Sequence, residues 1–172
     1  TAYAFHGGQW MAIDAVLESV RENRSRHVCV TGGEPLAQRT CLRLLERLCE
    51  AGYIVSLETS GALPVAEVDP RVVKVLDLKL AASGEAQRND FGNLDHLQAH
   101  DQIKFVVADR KDFDEAAALV REHDLERWTL WFSPVWESLS PAKLADWLLE
   151  SGLQARLQVQ LHKILWGDRP GV

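Results

Sequence analysis

The chain has 172 residues, of which 47% are hydrophobic, and a formal net charge of −6 at pH 7; that is enough apolar material for one substantial core and fits a single domain spanning 1–172. There is no basic block for a nucleic-acid backbone or an anionic lipid surface to engage, so neither is expected as a partner and a small molecule is favoured. No apolar run approaches the ~20 residues of a membrane span, and the opening TAYAFHGG lacks the basic and apolar regions of a secretory leader, so a cytoplasmic location is expected.

In chain order, Trp10, Ile13, Val16, Leu17 and Val20 recur at helical spacing and predict an amphipathic helix with one apolar stripe. The run His27 to Thr31 (HVCVT) reads as a strand, followed by Gly32-Gly33-Glu34-Pro35. Cys41, Leu44, Leu45 and Leu48 predict a second helix, and Tyr53 to Glu58 (YIVSLE) and Val72 to Leu78 (VVKVLDL) two further strands. From Ala81 to His100 the glycine pairs Ser83-Gly84 and Gly92-Asn93 break any period, which predicts an irregular excursion with at most a short helix. Gln102 to Ala108 (QIKFVVA) is the next strand, and Asp112 with Glu115 reads as a capping box opening a helix through Leu119 and Val120. Trp128 to Phe132 (WTLWF) is a strand, Ser140-Pro141 and Gly152 bracket a helix, and Leu157 to Leu161 (LQVQL) reads as the last strand.

Several of these runs are apolar at consecutive positions, as strands covered on both faces require, and their alternation with helices predicts an α/β fold with a mainly parallel sheet. The three cysteines, Cys29, Cys41 and Cys49, match no zinc, haem or ferredoxin spacing and read as small hydrophobes packed in the core. Trp128, Trp131, Trp136, Trp147 and Trp166 are read as core or interface packing and left out of the site.

Polar residues collect where the strands end: Thr31-Gly32-Gly33-Glu34, Glu58-Thr59-Ser60-Gly61, Asp77-Leu78-Lys79, Ser133-Pro134 and His162-Lys163. In parallel α/β proteins these ends share one face, where ligands bind. Two glycines after a buried strand let a ligand reach the peptide groups with no Cβ in the way, which suits a zwitterion's ammonium and carboxylate. With an acid directly after the glycines, and neither GxGxxG nor GK[ST], a phosphate cradle is the weaker reading.

GGEP at Gly32 to Pro35, LETSGALP at Leu57 to Pro64, DLK at Asp77 to Lys79 with Ser83-Gly84 behind it, DQIKFVV at Asp101 to Val107 and LHK at Leu161 to Lys163 occur in that order. Together they resemble the 7-carboxy-7-deazaguanine synthase family of the radical S-adenosylmethionine superfamily along nearly the whole chain. The resemblance implies a partial (β/α) barrel of the radical S-adenosylmethionine type. It also implies a lyase of queuosine biosynthesis that converts 6-carboxy-5,6,7,8-tetrahydropterin to 7-carboxy-7-deazaguanine with loss of ammonia. By the same resemblance Gly32, Gly33 and Glu34 hold the methionyl group, Glu58, Ser60, Asp77, Leu78 and Lys79 contact the rest of S-adenosylmethionine, Thr31 and His162 face the pterin, and Thr1 helps bind Mg²⁺. No residue is assigned as a general acid or base, because the cofactor carries the difficult chemistry. An external electron donor such as flavodoxin and a homodimer are implied as partners. The family's [4Fe–4S] ligands lie in a CxxxCxxC-type motif that is absent from this sequence, which opens two residues past where its last cysteine is expected. A truncated chain, without the first strand and inactive as given, is therefore expected. Two other readings are another small radical enzyme, such as an activase for a glycyl-radical partner, and a nucleoside-binding module without a cluster.

Overall fold

The computed structural model describes residues 8–167 and 169. In chain order the elements are α1 (Ile13–Glu22), β1 (His27–Val30), α2 (Cys41–Glu50), β2 (Ile54–Thr59), β3 (Val73–Leu78), β4 (Gln102–Val107), α3 (Arg110–Glu122), β5 (Thr129–Pro134), α4 (Pro141–Ser151), β6 (Ala155–Leu157) and α5 (Leu161–Trp166). The strands form a six-stranded sheet in the order β1-β2-β3-β4-β5-β6. This is the α/β class expected, with the open sheet of a partial barrel. The chain divides into two compact units, 1–75 with 90–98 and 76–89 with 99–172.

In the first unit β1 pairs in parallel with β2, His27 opposite Ile54 through Val30 opposite Leu57. Cys41, Leu45 and Leu48, spaced for one helical face, are the buried residues of α2, and Val55 and Leu57 those of the adjoining stretch of β2. Burying a leucine such as Leu45 completely is worth about 1.5–3 kcal/mol. The first helix begins at Ile13 and buries Leu17, while Trp10 precedes it and is fully exposed. Cys29 also departs from its core reading. Side chains alternate faces along a strand, and on β1 Val28 and Val30 are half-buried while His27 and Cys29 are exposed.

In the second unit β5 is flanked by β4 and β6, both parallel to it, with Phe105 opposite Phe132 and Phe132 opposite Leu157. Phe105 and Phe132 lie 5.1 Å apart by ring centroid, and Phe113 of α3 stacks 5.8 Å from Phe132 and 5.7 Å from Trp147 of α4. Helix α3 opens three residues before its expected start. Asp109 is the N-cap and accepts from the Asp112 amide at 2.9 Å, while the buried Asp112 carboxylate accepts from the Ala108 amide at 2.9 Å. Helix α4 has the predicted bounds, Ser140 before Pro141 at its start and Gly152 at φ 70 at its end. The excursion from Ala81 contains only the short 3₁₀ turns Ala81–Ser83, Ala86–Arg88 and Phe91–His96.

The last predicted strand is displaced. Pairing with β5 covers Ala155–Leu157, and the Gln158 amide donates to the Phe132 carbonyl at 2.8 Å before the chain turns. Leu161 to Trp166 is helix α5 instead, consistent with the helical spacing of Leu161, Ile164 and Leu165.

Candidate functional site

The GGEP and ETSG segments of the first unit are joined by one carboxylate. Glu34 follows the exposed Thr31, the half-buried Gly32 and the exposed Gly33, and caps the 3₁₀ turn Pro35–Ala37. Its Oε1 accepts from the Leu36 amide at 3.1 Å and the Thr59 hydroxyl at 2.9 Å. Its Oε2 accepts from the same Thr59 hydroxyl at 2.9 Å, the Ser60 amide at 2.9 Å and the Ser60 hydroxyl at 2.6 Å. A carboxylate has about four lone-pair sites, so these bonds occupy its accepting capacity. Gly32 adopts φ +123, a conformation open to glycine, and nothing lies within 4 Å of where its Cβ would stand. The carboxylate therefore anchors a loop whose glycine backbone stays open to a ligand.

Beyond Ser60 the loop is held by Asn93, which is buried. Its Oδ1 accepts from the Val65 amide at 2.9 Å, and its Nδ2 donates to the Gly61 carbonyl at 2.9 Å and the Leu63 carbonyl at 3.1 Å. Glu58 is half-buried on β2, one residue out of phase with Thr59. Behind the turn, burial pushes the Cys41 thiol above its ordinary range, and the Glu34 charge pushes it further.

In the second unit, Asp77, Leu78 and Lys79 lie at the end of β3 and just past it. Lys79 Nζ donates to Asp77 Oδ2 at 2.7 Å, and Asp77 Oδ1 is buried without a hydrogen-bond partner among the described residues. The Asn89 side chain serves Lys79 as a strand neighbour would: its Oδ1 accepts from the Lys79 amide at 2.9 Å and its Nδ2 donates to the Lys79 carbonyl at 2.8 Å. Leu78, between Asp77 and Lys79, is buried. His162 is exposed in the first turn of α5 rather than at a strand end, because the strand stops at Leu157. Thr1 lies outside the described residues.

Thr59, Asn89 and Asn93 were missed at the sequence level. Thr59 sat inside the quoted ETSG motif, but its hydroxyl meets Glu34 from 25 positions away; the two asparagines lie in a stretch without periodicity.

Taken unit by unit, the chemistry present suits parts of S-adenosylmethionine: in the first unit Gly32 offers an unobstructed peptide face, and in the second Asp77 offers an unmet acceptor. The residues present do not fit an iron–sulfur cluster. Cys29 is exposed on β1, Cys41 is buried in α2 with its thiolate disfavoured, and no group of three or more metal-binding side chains occurs among the described residues. No described helix is long and apolar enough to cross a membrane.

No family model matches the chain. It is 39% identical over 180 residues, covering 95% of this chain and 80% of the relative, to a protein of Koribacter versatilis named 7-carboxy-7-deazaguanine synthase. Proteins of the same name from Chlorobaculum tepidum and Thermoplasma acidophilum are 38% and 32% identical over the whole of this chain, which spans 80% and 82% of their lengths.

Proposed function

The chain belongs to the 7-carboxy-7-deazaguanine synthase family, and we propose on that premise that it acts as a radical S-adenosylmethionine lyase making 7-carboxy-7-deazaguanine from 6-carboxy-5,6,7,8-tetrahydropterin in queuosine biosynthesis. The observation that carries this reading is similarity along the full chain, in which two of the motifs that carry the resemblance, GGEP and LETSGALP, are locked together by the Glu34 carboxylate.

When bound, S-adenosylmethionine would supply the radical chemistry of the family, while the described residues offer no thiolate set for the [4Fe–4S] cluster that the family uses with it. The peptide groups of Gly32 and Gly33 receive the methionyl ammonium and carboxylate, and Glu34 contributes to that subsite by fixing the loop against Thr59 and Ser60. Glu58, Ser60 and the Asp77 to Lys79 segment serve the remainder of the cofactor, with Asp77 Oδ1 as the acceptor for a ligand donor. Thr31 and His162, both exposed, face the pterin. A Mg²⁺ ion beside the substrate carboxylate with Thr1 as a ligand, a flavodoxin-type electron donor, a homodimer, a cytoplasmic site of action and a single partial-barrel domain over 1–172 complete the proposal.

Ammonia release tests it. Anaerobic full-length protein, reconstituted with iron and sulfide, is expected to liberate ammonia only when both S-adenosylmethionine and the tetrahydropterin are present. Reductive cleavage of S-adenosylmethionine without ammonia release would overturn the lyase reading and favour the activase.

A further inference from the structure

Past Thr59, where β2 ends, the chain leaves the sheet, and its backbone is met instead by the stretch Asp90 to His96. Gly61 adopts φ 70, and its carbonyl accepts from the Asp90 amide at 3.2 Å as well as from Asn93 Nδ2 at 2.9 Å. With its bonds to Leu63 and Val65, the Asn93 side chain engages residues 61, 63 and 65. Alternate residues are what a neighbouring strand would engage, so one side chain stands in for a strand that is not there.

The chemistry of the contact selects asparagine. Two carbonyls face one end of the side chain and an N–H faces the other, so two donor hydrogens and an acceptor are required from a single short, neutral group. Asn93 is 2% exposed, and any of its three partners left unmet would lose a hydrogen bond without water to replace it.

Ser60 stands between this clamp and the Glu34 carboxylate: its own amide and hydroxyl are tied to Glu34, and the carbonyl of the next residue is tied to Asn93. We propose that Asn93 is a positioning residue of the cofactor subsite, which touches no ligand itself and sets where Ser60 and Gly61 stand for S-adenosylmethionine. The role rests on the reading above that Ser60 serves this cofactor. Small displacements of groups that orient a ligand are costly even when the altered residue lies away from it. Asp90 to His96 belongs to none of the motifs that carry the family resemblance, and this role gives that stretch a function.

The test is calorimetric titration of S-adenosylmethionine into full-length protein, with the melting temperature of each variant measured beside it. Asn93→Asp keeps the shape of the side chain but sets a carboxylate oxygen against the Gly61 and Leu63 carbonyls. The dissociation constant is expected to rise about tenfold, the scale of a buried acceptor left unmet. Asn93→Ser, which removes the amide donors without adding a charge, is expected to act in the same direction and serves if Asn93→Asp does not fold. Leu48→Ala opens a cavity under α2 in the same unit. It is expected to lower the melting temperature at least as much and to leave the dissociation constant unchanged, which separates positioning from stability. Wild-type affinity in a folded Asn93 variant would overturn the proposal. An equal loss of affinity in Leu48→Ala, or failure of both Asn93 variants to fold, would make Asn93 a structural residue and overturn it as well. Failure of the wild-type protein to bind S-adenosylmethionine would instead overturn the cofactor reading beneath it.

Discussion

The Ser60 hydroxyl donates to Glu34 Oε2 at 2.6 Å, and the Ser60 amide donates to the same oxygen at 2.9 Å. One side chain thus ties the turn after β1 to the turn after β2. Glu34→Gln replaces one accepting oxygen with an NH₂ donor, which cannot satisfy the amide and hydroxyl donors it would face. A loss of about 1.5–3 kcal/mol in folding stability is expected, the range for a hydrogen bond to a charged group, together with weaker S-adenosylmethionine binding. Denaturant unfolding and calorimetric titration check this. Loss of affinity at unchanged stability would mean that the carboxylate acts on the ligand directly.

Gly32 and Gly33 separate by backbone conformation. The positive φ of +123 belongs to Gly32, and the space around its absent Cβ is open, so the cost of substitution there is torsional rather than steric. Gly32→Ala is expected to destabilise the protein by about 1–3 kcal/mol through backbone strain. Gly33→Val is expected to abolish S-adenosylmethionine binding while circular dichroism and the melting temperature stay near wild type. Tight binding by a folded Gly33→Val variant would remove the glycines from the site.

Asp77 Oδ1 has no partner among the described residues, whereas Oδ2 pairs with Lys79. Asp77→Asn keeps the shape and removes the charge. Cofactor affinity is expected to fall by about 1.5–3 kcal/mol, corresponding to one charge-assisted hydrogen bond. Calorimetry with S-adenosylmethionine reads it, and an unchanged dissociation constant would exclude Asp77 from the cofactor subsite.

The Arg71 side chain hydrogen-bonds Asp69 and, more than any other influence, holds its carboxyl down at about 2. The ordinary aspartate value is about 3.9, so this pair contributes stability that is fully present above that pH and is lost as pH falls toward 2. Arg71→Ala is expected to lose stability at neutral pH and to show a shallower decline between about pH 4 and 2. Melting temperatures measured across that window decide; parallel curves for variant and wild type would show that the pair carries no acid sensitivity.

The two site-bearing strands were legible because buried parallel strands are apolar at consecutive positions and then stop at polar residues, as Leu57-Glu58-Thr59-Ser60 and Leu76-Asp77-Leu78-Lys79 do. What holds the site was less legible. Glu34 could be read as functional, but that its oxygens are taken by Thr59 and Ser60 depends on the pairing of β1 with β2, which brings distant turns together. Asn89 and Asn93 lay in a stretch with no period to place them. The last strand was misread because LQVQL alternates like a strand, while Leu161 also begins the helical spacing of α5. Cys29 was assigned to the core because its run is apolar, although its position on β1 is exposed.

The most direct test of the central claim is the mass of the product. Full-length protein, reconstituted with iron and sulfide and incubated anaerobically with reductant, S-adenosylmethionine and 6-carboxy-5,6,7,8-tetrahydropterin, is expected to give a species with the mass and absorbance of 7-carboxy-7-deazaguanine. Recovery of the pterin unchanged, in a sample that cleaves S-adenosylmethionine, would contradict it.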